Sequence, residues 1–183
     1  MNCKTLKEAH IYCKVNSLNG QTTGSLIESY IIGKSSNIRK INSSECKGDC
    51  IVDDLHNVEI KVSLGGNKHK NFNYVQIRLG HDIQYYLLTA YYISESNLDN
   101  EGELYTFCID KASMKNILIE YGQYAHGTIK ENGVICADNI REDKEYALRV
   151  SYDSSLWKKL CEYKLTNSDL PIEFCRAVSS LTE

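Results

Sequence analysis

Proline occurs once in the 183 residues, which leaves little chain for long disordered linkers. Long apolar runs are missing too. The longest, Tyr85 to Ile93, is about half of the roughly 20 residues that a membrane-spanning helix requires. The opening residues, MNCKTLKEAHIYCK, contain neither an apolar stretch nor a small-residue cleavage site. No secretory leader and no membrane partner are therefore expected, and the cytoplasm is the expected compartment. No Cys-x-x-Cys occurs among the eight cysteines. Their closest grouping with a histidine, Cys46, Cys50 and His56, lacks a second half, so a structural zinc is not expected. Disulfides are not expected in a reducing compartment, and the cysteines read as small buried hydrophobes. An excess of basic charge is also absent: 21 Lys and Arg stand against 24 Asp and Glu, a net charge of −3. That excludes a purely electrostatic grip on nucleic acid but leaves room for a local basic patch.

What is present is ordinary for a folded chain, with 42% hydrophobic and 25% charged residues. The length suits a single domain over residues 1–183 with a core of its own. TTGSLIESYIIGK reads as a helix, with Thr22 or Thr23 as its cap and Leu26, Ile27, Tyr30 and Ile31 at helical spacing. The GKSS that follows is not a phosphate-binding loop, because that motif needs a glycine where Glu28 stands. Strands are expected at about 50–52 and 58–63, folding back on each other at the turn-forming DDLHN. LGGNKHKN reads as a basic loop. FNYVQIR is a further strand, and QYYLLTAYYI is continuous enough to be buried on both faces. ELYTFCI is another strand, followed by a helix capped by Asp110 and stopped at Gly122. A last helix is expected in DSSLWKKLCEYKL, with Leu156, Trp157, Leu160 and Cys161 on its apolar side. The fold class is therefore α/β, a mixed central sheet flanked by helices.

The chemistry gathers in GDCIVDDLHNVEIKVSLGG. Side chains two apart on a strand share a face, so Glu59 and Lys61 project together while Ile60 and Val62 face the core. A turn centred near Asp54 places Asp49 beside Glu59 on the neighbouring strand. Two adjacent carboxylates repel unless a divalent cation lies between them. Magnesium suits such a pair, because it takes carboxylate oxygens, usually one or two, together with a substrate phosphate. Hydrolysis of a phosphodiester is the reaction this set of groups can serve, with Lys61 orienting water or neutralising charge. Asp53 or Asp54 is the alternative ligand, although both read as turn residues. Glu-x-Lys alone is more often a salt-bridged strand face.

Asp49, nine intervening residues, then Glu59-Ile60-Lys61 resembles the PD-(D/E)XK nuclease superfamily, with GD in place of PD. The resemblance runs from Glu28 to Tyr92 and is most similar to type II restriction endonucleases. It implies a restriction-endonuclease-like core and site-specific cleavage of double-stranded DNA. By the same resemblance Asp49 and Glu59 hold Mg2+ and Lys61 assists the water. Glu28 contacts the metal site through water, and Gln76 lies near the scissile phosphate. It also implies a homodimer and a companion DNA methyltransferase. For DNA contacts, Lys68, His69 and Lys70 are candidates for phosphates. Asn73, Gln76 and Arg78 are candidates for bases, and His126 and Arg149 for further contacts. The tyrosines at 85, 86, 91 and 92 read as core, as does Trp157. The alternatives are a structure-specific nuclease of resolvase or repair type and a non-catalytic DNA-binding or assembly module.

Overall fold

The computed structural model describes residues 5–33, 37–65, 70–94, 96, 99, 102–126 and 133–165. Helices α1 (Leu6–Val15) and α2 (Gly20–Ile32) precede strands β1 (Ile38–Lys40), β2 (Cys50–Val52) and β3 (His56–Leu64). Strands β4 (Asn71–Arg78), β5 (Tyr85–Tyr92) and β6 (Glu103–Asp110) follow, then helix α3 (Lys111–Tyr121). Strands β7 (Gln123–Tyr124) and β8 (Glu145–Ser151) and helix α4 (Ser155–Cys161) are the last elements among the described residues. The main sheet is mixed, with order β1-β2-β3-β5-β6. Only β3 and β5 run parallel; the other pairs are antiparallel.

Parallel neighbours need a crossover, and here the crossover contains a strand rather than a helix. β4 leaves the main sheet and joins a second, antiparallel sheet of order β4-β8-β7. That second sheet is absent from the sequence expectation, which named a single mixed central sheet. Its partner β8 lies some seventy residues further on, where no local signal announces the pairing.

Alternation along the strands sends side chains to two cores. On one face of the main sheet Val58, Ile60, Tyr85 and Leu87 pack against Ala9 of α1 and Ile27 and Ile31 of α2. On the other, Tyr86, Leu88, Phe107 and Ile109 meet the inner face of the second sheet through Phe72, Tyr74, Ile77, Tyr146 and Leu148. Met114, Ile117 and Leu118 of α3 and Leu156, Trp157 and Leu160 of α4 close this second core. β5 is covered on both sides, which is why Tyr85–Tyr92 reads as an unbroken apolar run. Trp157 stacks on Phe72 and meets Tyr105 and Phe107 edge-on.

Several local expectations change. α2 starts earlier than expected, because Asn19 is its cap and accepts from Thr22 N at 2.9 Å; Thr22 and Thr23 lie inside the helix. α1 has no counterpart in the sequence reading: its fully covered positions are Ala9, His10 and Cys13, too narrow an apolar stripe to stand out. α3 is capped by Asp110, as expected. Gly122 ends it through close approach, since a Cβ there would lie 2.4 Å from Leu118 O. Among the described cysteines Cys13, Cys50 and Cys108 are buried, whereas Cys46, Cys136 and Cys161 are exposed. Cys161 therefore faces solvent rather than the apolar side of α4. No helix among the described residues is long and apolar enough to cross a membrane.

Candidate active site

The β2–β3 hairpin pairs Cys50 with Val58 and Val52 with His56, so its centre is Asp54; the ladder stops there, and Asp49 does not pair with Glu59 as the turn position predicts, because its amide also bonds to Val58 O. Asp53 and Asp54 occupy the turn with positive φ. Their carboxylates are engaged by Asn37 Nδ2 (2.9 Å) and Arg39 Nε (3.2 Å), which fits the turn reading and leaves Asp49 as the acid beside Glu59.

Asp49 is tied down from three sides. Its amide donates to Val58 O (2.9 Å) and its carbonyl accepts from Ile41 N (3.1 Å). Its Oδ2 accepts from Ile60 N at 2.7 Å. Main-chain groups two apart on a strand point the same way, so the Ile60 amide faces the β2 side as the Val58 carbonyl does. β2 proper begins only at Cys50, and the carboxylate of Asp49 takes the place of the missing ladder partner. It thus lies at the edge of β3 at residue 60, between the positions from which Glu59 and Lys61 project. Gly48 makes this approach feasible: its φ is +83°, and a Cβ there would sit 2.6 Å from Val58 O.

Glu59 is only 5% exposed and lies on the face opposite Ile60. Lys61 Nζ reaches its Oε1 at 2.5 Å, the pairing that a buried carboxylate requires. Across the parallel ladder Glu59 is level with Tyr86, whose hydroxyl donates to Arg78 O at 2.8 Å. Glu28, half-buried on α2, is 3.6 Å from Lys40 Nζ. Lys40 is level with Cys50 across the β1–β2 ladder, one residue from Asp49. Sequence reasoning missed Lys40, because a three-residue strand leaves no periodicity to read.

The electrostatics join these groups into one site. Burial above all pushes the Asp49 carboxyl up to about 7, with the Glu59 and Glu28 charges adding to the rise and the Ile60 amide and Lys61 opposing it. Burial likewise raises the Glu28 carboxyl; Lys40 counters this and Glu59 reinforces it. The three carboxylates therefore feel one another's charge, with Lys40 beside Glu28 and Lys61 beside Glu59. The donor set is all oxygen and anionic, which suits a hard cation and not zinc. No cluster of three or more His, Cys, Asp or Glu side chains among the described residues is placed to hold a metal. Magnesium asks for only one or two carboxylates beside substrate oxygens, so Asp49 and Glu59 fit it.

Gln76 is on β4 at a bulge, where the register with β8 shifts between Tyr74 and Ile77. Its φ is +56°, and Val75 and Gln76 are both exposed in succession. Asn73 and Arg149 are cross-strand partners on β4 and β8, both exposed. The Asn73 amide also donates to Ser63 Oγ at 2.8 Å, fastening β4 over the face of β3 that carries Glu59 and Lys61. Arg78 is bound to Glu145 (Nη2 to Oε1 2.5 Å), and His126 Nε2 lies 3.1 Å from the other oxygen of that carboxylate. Lys70 is held by both oxygens of Glu103, each at 2.7 Å. Its ammonium also lies over the rings of Tyr92 and Tyr152, 5.4 and 4.6 Å from their centroids. Lys68 and His69 lie outside the described residues. No family model matches the chain, and no curated protein matches it.

Proposed function

We propose that this chain is a magnesium-dependent endonuclease that hydrolyses phosphodiester bonds of double-stranded DNA at specific sites. In this reading the mixed sheet is a restriction-endonuclease-like core and the chain acts as a homodimer in a restriction system beside a DNA methyltransferase. The observation that supports the proposal is the Asp49 carboxylate held on the amide of Ile60 at 2.7 Å, the residue between Glu59 and Lys61, whose side chains pair at 2.5 Å.

Asp49 and Glu59 would hold magnesium, and Glu28 would reach it through water. When bound, the ion supplies Lewis-acid polarisation of a phosphoryl oxygen and screens charge on the departing oxygen. Lys61 donates to the attacking water and neutralises charge that builds around phosphorus. Water oxygen ends on phosphorus as the P–O bond to the leaving group breaks; one water proton passes to solvent, and the departing oxygen takes a proton from solvent. Phosphodiester hydrolysis needs a barrier reduction on the order of 15–23 kcal/mol. Positioning supplies about 7–11 kcal/mol, so electrostatics at Lys61 and the metal must supply much of the rest.

The 2.5 Å contact between Lys61 and Glu59 also suits a second reading, a salt-bridged face in a non-catalytic module. Plasmid digestion separates the two. The nuclease reading expects discrete bands with magnesium, none with a chelator, and loss of cutting in Lys61→Ala with DNA binding kept. Uncut plasmid under all conditions, with pure wild-type chain, would overturn the site-specific nuclease reading.

A further inference from the structure

The outer face of the second sheet collects residues that are far apart in the sequence. Along β4 it presents Asn71, Asn73, Val75 and the bulged Gln76. β8 adds Arg149 and Ser151, and β7 adds Gln123, level with Ala147. The opposite face of the same strands is buried in the core through Phe72, Tyr74, Ile77, Tyr146, Leu148 and Val150. A solvated strand face is usually laced with charges of both signs. This one is dominated by amides, and its one carboxylate, Glu145, is shared by Arg78 and His126.

We infer that the β4–β8 ribbon is the surface that reads base edges in the major groove of double-stranded DNA, with Asn73, Gln76 and Arg149 as the reading side chains. The inference rests on the nuclease reading for its choice of partner. A two-stranded antiparallel ribbon is one of the elements the major groove admits, and Asn or Gln pairs with adenine and Arg with guanine there. The spacing suits it. Same-face residues along a strand are about 6.8 Å apart, close to two base-pair rises of about 3.4 Å. Asn71 and Asn73 are therefore set about two base pairs apart, with Arg149 directly across from Asn73. The bulge turns Gln76 outward beside Val75, as bulges near functional sites do.

Charge decides between reading and gripping. Lys70 is committed to Glu103, and Arg78 and His126 to Glu145. Among the described residues Arg149 has no acidic partner. A face with one uncommitted cation is a poor general phosphate clamp, and its amides add hydrogen-bonding capacity rather than charge. RNA is disfavoured as the partner, because the A-form major groove is too deep and narrow for side chains to read.

The test is selection of duplexes from a randomised 30-base-pair pool by the full chain in a chelator, followed by sequencing and by anisotropy titration of the winners. The expected result is a defined motif containing adenine and guanine. Arg149→Ala should weaken binding to that motif about 10- to 100-fold and relax its guanine position, and Asn73→Ala or Gln76→Ala should relax an adenine position. Lys14→Ala on α1, across the main sheet, should leave motif and affinity unchanged. Circular dichroism melts identify any variant that has lost the fold; Arg149→Lys then replaces it, since it keeps charge but not the paired bonds. A motif that survives all three substitutions, a pool with no motif, or preference for RNA or single strands overturns the inference. Because no metal is present, a chain that binds but never cuts sinks the nuclease reaction and spares this face. A chain that cuts at sites indifferent to the three variants does the reverse.

Discussion

Asparagine at position 49 would keep an acceptor for the Ile60 amide and remove a charge from the most crowded point of the site. The wild-type carboxyl is moved from an ordinary 3.8 up to about 7, by burial first and by Glu59 and Glu28 next. A carboxyl raised in this way keeps its proton in the folded chain after the unfolded chain has lost it. Folding is then progressively disfavoured as pH climbs from about 3.8 to 7, and the penalty stays constant above that window. Three pH units at about 1.4 kcal/mol each set a ceiling of about 4 kcal/mol. Solvent reaches this half-buried group, so we expect about half of that, about 2 kcal/mol.

Asp49→Asn should therefore be more stable than wild type by about 2 kcal/mol near pH 8, and by under about 1 kcal/mol near pH 4. Urea unfolding followed by Trp157 fluorescence measures both chains, and taking their difference cancels titrations elsewhere. Magnesium supplies the second arm: near pH 8 it should raise wild-type stability and leave the asparagine chain where it was, since binding to the folded state alone stabilises by mass action. A stability difference that stays flat from acid to alkaline pH, or an asparagine chain that is weaker near pH 8, would refute the electrostatic account of the site.

Gly48→Ala places a Cβ 2.6 Å from Val58 O at a φ of +83°; the expected cost is about 1–3 kcal/mol. Plasmid cutting should fall at least about tenfold with it, since about 1.4 kcal/mol at the transition state is one decade of rate. Unchanged cutting would show that the placement of Asp49 does not matter. Lys70→Ala loses a carboxylate partner and two ring contacts, an expected stability loss of about 1–2 kcal/mol by urea unfolding. The salt dependence of its DNA binding should not change, because that ammonium is already committed; a shallower slope would show it leaving Glu103 for a phosphate.

The β2–β3 hairpin was legible because what sets it is local. A cluster of turn residues and two alternating runs determine the register of Cys50 with Val58, but the break that puts Asp49 on Val58 O and the Ile60 amide instead of level with Glu59 is not written in that pattern. The second sheet was not legible, since the pairing of β4 with β8 depends on chain that arrives much later. The same distance explains the DNA candidates. Lysine and arginine in a basic stretch look available in sequence, yet Lys70 finds Glu103 thirty-three residues away and Arg78 finds Glu145 sixty-seven away. Asn73, Gln76 and Arg149 stay exposed on the outer face of the paired strands, although Ala147 on the same face is covered. What separates an available side chain from a neutralised one is therefore tertiary. A charge counted in sequence stays available to a partner only where the fold supplies no nearer one.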